Sequence, residues 1–211
     1  MGERSNHRQG SMFVATIRWE YKVKTAMSTM RFACVADASE YRELLRDPSV
    51  TSVWHFDSSG GIDPASPEVF ELTAFAVDGK ERKIRRTNRP GAQVYSASLG
   101  VEVGTDQEVT VAYTYRVLAQ CNSHLLYLDL PRPTKGLHVQ LDYHQAGIRR
   151  MNTVDYFASS QASRVEQPRH ADDAKTVNIQ LRRVDAAAGW SGVRVGARGG
   201  AREAVEPSVF W

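Results

Sequence analysis

Three stretches of this chain alternate apolar and polar side chains with a period of two. Ile17, Trp19, Tyr21 and Val23 interleave with Arg18, Glu20, Lys22 and Lys24. Farther on come Val109, Val111, Tyr113, Tyr115 and Val117, then Leu137, Val139, Leu141 and Tyr143. Successive side chains of a strand point to opposite faces, so this spacing puts every apolar group on one side of a sheet. On a helix the same residues would be scattered around the axis and no core could form. The chain must therefore build sheets with one wet face and one dry face.

Further strand candidates fall at residues 50–56, 71–77, 93–99, 124–130 and 176–181, and a cationic stretch follows Gly79. That makes about nine strand candidates, bounded by turn signals at antiparallel spacing. Asp78-Gly79 is the sharpest of these signals, because both central residues of a two-residue hairpin turn need positive φ. DSSGG and the two prolines of DPASP separate the strands on either side of residue 60. One helix is expected at 37–46. Asp37 is its cap, Glu40 stands three residues on as in a capping box, Tyr41, Leu44 and Leu45 follow at helical spacing, and Pro48 stops it. The fold class is mostly β: an antiparallel β-sandwich with one short helix, a barrel being the alternative closure. As an architecture this is similar to immunoglobulin-like sandwiches, a likeness that carries no function.

The 211 residues are 42% hydrophobic and 24% charged, ordinary usage for a globular domain, and enough chain for a full core without staples. Residues 1–11 are polar and without periodicity, and are expected to be a disordered leader. A single β-rich domain is expected at 12–185. Residues 186–211 are rich in Ala, Gly and Arg, read as a flexible tail, or as an artefact of the gene's end because these three residues share GC-rich codons. Cys34 and Cys121 have neither metal-ligand spacing nor the density of a disulfide scaffold, and both are expected to be free thiols. The N-terminus has no apolar signal core, and no stretch approaches the ~18 apolar residues of a membrane span. A cytoplasmic location is expected on these grounds.

The strongest local feature is GKERKIRRTNRPG. Lys80, Arg82, Lys83, Arg85, Arg86 and Arg89 face Glu81 alone, a formal +5; the whole chain carries +3, so the remainder carries −2. Positive charge concentrated this way attracts phosphates, nucleic acid or an acidic protein surface. The competing reading is a solvated edge strand whose charges block sheet-to-sheet pairing. As one continuous strand the segment would send Lys80, Arg82 and Arg86 to one face and Lys83 and Arg85 to the other, with Ile84 its sole apolar anchor. Base-stacking aromatics are not interleaved with it, since Phe75 and Tyr95 lie outside.

The remaining candidates for chemistry are weaker. Asp142 and His144 end a strand, while His170, Asp172 and Asp173 cluster in a polar loop, neither at metal-motif spacing. Cys121 and His124 are too close in sequence to resemble a catalytic pair, and Ser58, Ser59, Gly60 and Gly61 lack the flanks of a nucleophile elbow. Trp19, Trp54 and the strand tyrosines are expected in the core. No cofactor or metal is expected. The reading is a non-catalytic, cytoplasmic binding or sensory accessory domain that engages a protein or an anionic ligand at the six cations, with nucleic acid as a weaker possibility. The alternatives are a hydrolase-like enzyme with a site assembled from distant loops, and a structural subunit that pairs through an exposed sheet edge. Convergence of His55, Cys121, His124, His144 and His170 in one pocket would favour the enzyme.

Overall fold

The computed structural model describes residues 12–24, 26–58, 61–100, 108–120, 125–129, 134–143, 151–155, 164–166, 175–184 and 192–197. In chain order the elements are β1 (Met12–Lys24), β2 (Thr29–Val35), α1 (Ala38–Arg46), β3 (Val50–His55), β4 (Phe70–Val77), β5 (Lys80–Glu81) and β6 (Ile84–Arg89). There follow β7 (Ala92–Ser98), β8 (Glu108–Gln120), β9 (Leu125–Asp129), β10 (Thr134–Asp142), β11 (Met151–Asp155), β12 (Arg164–Glu166), β13 (Thr176–Val184) and β14 (Gly192–Ala197).

The three alternating stretches lie side by side. β1 pairs antiparallel with β8 along its whole length, from Met12 opposite Gln120 to Lys24 opposite Glu108, and with β10 on its other side. They are the centre of a seven-stranded sheet ordered β12-β13-β10-β1-β8-β4-β5. The odd-numbered residues Ala15 to Val23 of β1 and Val109 to Val117 of β8 are all buried, as the period of two requires. In β4 the inward set changes phase, from Phe70 and Leu72 to Phe75 and Val77. The register shift between Leu72 and Ala74 absorbs the extra residue, and Thr73 and Ala74 face outward.

A second sheet, ordered β3-β2-β7-β6, packs on the first. Its inward residues Met30, Phe32, Cys34, Tyr95 and Ala97 join the same core. Phe32 makes edge contacts with Phe75 (6.1 Å between centroids) and Tyr113 (4.8 Å) from the opposite sheet. Such geometry sets the positive edge of one ring against the negative face of another. The result is a sandwich with a single short helix and no closed barrel among the described residues.

One pair of strands among the described residues departs from a purely antiparallel reading. β2 and β3 run parallel, and α1 is the crossover between them, packed on both. Asp37 caps it as expected, accepting the Glu40 N–H at 2.7 Å. β2 itself, the sequence TMRFACV, was not among the expected strands. Phe32, Ala33, Cys34 and Val35 are buried in succession, because one face of β2 meets the seven-stranded sheet and the other meets α1. A strand dry on both faces shows no alternation.

A third sheet, β11-β14-β9, is antiparallel throughout. Its middle strand β14 falls inside the run expected to be a flexible tail. Gly-Val-Arg-Val-Gly-Ala does alternate, and Val193 and Val195 register with Leu128 and Leu126 of β9. The rest of 186–211, and the leader at 1–11, lie outside the described residues.

Candidate functional site

The cationic segment begins at the Asp78-Gly79 turn, where φ is 48° and 75°, the two positive angles that a primed hairpin turn demands. The turn is pinned to β8: the Asp78 N–H donates to the Thr110 carbonyl, and the Asp78 carboxylate accepts from the Thr110 N–H, each at 2.8 Å. Lys80 and Glu81 then pair with Val77 and Ala76 as β5, the edge of the seven-stranded sheet.

Here the structure corrects the expectation of one continuous strand. Arg82 and Lys83 leave the first sheet, and Ile84 begins β6, the edge of the second. Three Cα steps from Glu81 to Ile84 span about 11 Å, which matches the ~10 Å between packed sheets. Both edges therefore lie on the same side of the sandwich. The Arg82 N–H donates to the Phe75 carbonyl at 2.9 Å, and its guanidinium lies against Gly100. A Cβ there would sit 3.2 Å from Nη2, and the φ of 102° also disfavours a side chain. Arg82 Nε is buried without a hydrogen-bond partner among the described residues.

Arg86 and Arg89 are exposed but tied to the fold by partners. Arg86 stands opposite Tyr95, its Nε donates to Gln93 Oε1 at 3.0 Å, and its Nη2 donates to the Ala65 carbonyl. Gln93 is 1% exposed, and its Nε2 donates to the carbonyls of Pro64 and Ser66, each at 2.7 Å. Asp63 closes the same corner, accepting from the N–H groups of Ala65 (2.9 Å) and Gly91 (3.1 Å). The DPAS turn is thereby fastened to the β6–β7 hairpin. Arg89 pairs with Glu40 of α1 at 2.5 Å.

Lys80, Lys83 and Arg85 are different. They are exposed like Arg86 and Arg89, but their side chains have no ion pair or hydrogen bond among the described residues. Arg85 lies on the opposite face of β6 from Ile84 and Arg86, opposite Ser96.

Of the other sequence candidates only some fall on described residues. His55 is exposed at the end of β3, beside the Tyr41 ring, with Nε2 3.1 Å from the Ala36 carbonyl. Cys34 is a free, buried thiol pushed up to about 12, by burial first and then by the Asp63 carboxylate. It stays protonated and is no nucleophile at neutral pH. Trp19 and the alternating tyrosines do fill the core, the Trp19 indole N–H donating to the Tyr115 hydroxyl at 3.2 Å. Burial and the neighbouring Tyr21 and Tyr115 hold the Tyr113 phenol well above its usual range. Trp54 is only half-buried. Asp142 is exposed at the end of β10. Cys121, His124, His144, His170, Asp172 and Asp173, with Ser59 and Gly60, lie outside the described residues. Among the described residues no three His, Cys, Asp or Glu side chains gather as a metal site, and no helix is long and apolar enough to cross a membrane.

Gln93 and Asp63, which organise this corner, were not singled out from the sequence. Asp63 before a proline is a recognisable turn signal, whereas a glutamine within a strand carries none. No family model, curated protein or solved structure matches the chain.

Proposed function

We propose that this chain is a non-catalytic binding module of the cytoplasm that engages an acidic partner along the β5–β6 side of the sandwich. The observation that supports this is the division among the six cations. Arg82 packs against Gly100 and Arg86 and Arg89 satisfy groups of the fold, while the side chains of Lys80, Lys83 and Arg85 project from this side of the sandwich without an ion pair among the described residues. A net +5 in this segment and −2 elsewhere orients an approaching anion toward it.

The test compares the parent with K80E/K83E/R85E for binding to heparin, to single-stranded nucleic acid and to a poly-glutamate chain, at low and physiological salt. The parent is expected to bind at least one of these polyanions, more weakly as salt rises. The variant is expected to lose that binding while keeping the parent's melting temperature. Equal binding by parent and variant would reduce the segment to a solvated edge.

A further inference from the structure

The open edge of the second sheet adds a feature that charge alone does not. Among the described residues β6 hydrogen-bonds to β7 only and ends the order β3-β2-β7-β6. A strand paired on one side leaves every second N–H and C=O of its backbone facing outward, a template for another strand. We propose that β6 receives an extended acidic segment of a partner protein as a fifth strand of this sheet, an inference that rests on the function proposed above.

Charge complementarity selects the occupant. The strand IRRTNR carries Arg85, Arg86 and Arg89 and no acid. A second copy of this chain docked edge to edge would set arginine against arginine, which cross-strand pairing penalises. An incoming strand with Glu or Asp at alternate positions would instead set carboxylates beside Arg85 on the outer face. Its neighbours Lys80 and Lys83 lie along the same side of the sandwich, because only Arg82 and Lys83 separate β5 from β6. Backbone hydrogen bonds then supply affinity and register, and the alternating charges supply selectivity, the division of labour seen wherever a peptide extends a sheet. The other edge of the same sheet, β3, has the sequence VTSVWH and no cation to select an acidic strand.

The experiment uses the full chain and two blocked ten-residue peptides, one alternating Glu with Val and Thr, the other carrying the same acids with proline at the Val and Thr positions. Proline cannot donate to a ladder, so the second peptide keeps the charge and loses the strand. The first is expected to bind at least tenfold more tightly than the second, to weaken with salt, and to slow hydrogen exchange at alternate amides of residues 84–89. Equal affinity for the two peptides, or protection at residues 50–55 instead, would overturn strand addition while leaving anion binding intact. So would heparin binding with no binding of either peptide. Failure of heparin and both peptides together would remove the function proposed above as well. A dimer of the parent that K83E/R85E dissociates would show that the edge takes a second copy, against the proposal.

Discussion

Arg86 lies over the ring of Tyr95, its Cζ 5.9 Å from the ring centre, and the two residues are direct cross-strand partners in the β6–β7 pair. The arginine is exposed at the rim of the sandwich, but it lies on the Tyr95 side of β6, and its Nε reaches the buried Gln93 beneath. Arg85, one residue earlier, points the other way into water. Adjacent cations of one strand thus do different jobs, and the alternation of the strand decides which.

Replacing Arg86 by alanine is expected to destabilise the domain by about 1–3 kcal/mol, the cost of leaving buried acceptors unsatisfied, here Gln93 Oε1 and the Ala65 carbonyl. Arg85→Ala is expected to change stability by less than about 0.5 kcal/mol, as for most exposed side chains. Urea unfolding of the two variants checks this. Equal effects would mean that the Arg86 network contributes nothing beyond a solvated charge.

What the sequence made legible follows from how many faces of each element are wet. β1, β8 and β10 each bury one face, so their period of two was readable, whereas their adjacency in the large sheet was not. The Asp78-Gly79 turn and the Asp37 cap were readable because their chemistry is local. β2 was not, since from Phe32 to Val35 both its faces are dry and its apolar run is continuous. The six cations were visible as a concentration of charge, but their division was hidden. The partners of Arg86 and Arg89, namely Ala65 and Glu40, come from segments far away in sequence. Nothing in a strand pattern announces that Gln93 will be buried.

Stability should fall on the alkaline side. An unfolded thiol ionises near the ordinary value of 9.0, whereas Cys34 in the fold ionises only near 12. Between these values the folded chain holds a proton that the unfolded chain has lost, so the contribution is complete below pH 9 and is lost as pH rises through the folded value. The slope from this group is at most about 1.4 kcal/mol per pH unit. Tyr113, raised by burial, adds in the same direction at higher pH. Urea midpoints measured from pH 8 to 11 should decline more steeply for the parent than for Cys34→Ala. Parallel declines would show that the thiol ionises freely in the fold.

Truncation after Asp185 removes β14, the middle strand of the three-stranded sheet, and leaves β9 and β11 without the partner each pairs with. Amides of residues 125–129 and 151–155 are expected to lose hydrogen-exchange protection, while those of β1 and β8, paired with each other, keep theirs. Unchanged protection in both regions would mean that residues 186–211 contribute no pairing.

The sharpest separation of binding from folding comes from two triple variants with the same change in formal charge. R82E/R85E/R86E strikes Arg86 and its Gln93 network, and also places a carboxylate where the Arg82 guanidinium packs against Gly100. K80E/K83E/R85E touches only exposed side chains without partners among the described residues. The first is expected to lower the urea midpoint markedly, because it leaves the buried Gln93 acceptor unpaired and brings a new carboxylate close to it. The second should leave the midpoint nearly unchanged, since surface charges contribute little to stability. Both should lose polyanion binding at low salt, where the long-range field decides the encounter. Thermal or urea unfolding beside a heparin-affinity measurement on the same two samples is sufficient. Equal stability of the two variants would show that Arg82 and Arg86 are as loosely held as Lys80 and Lys83, and the division of the cations into structural and available groups would then fail.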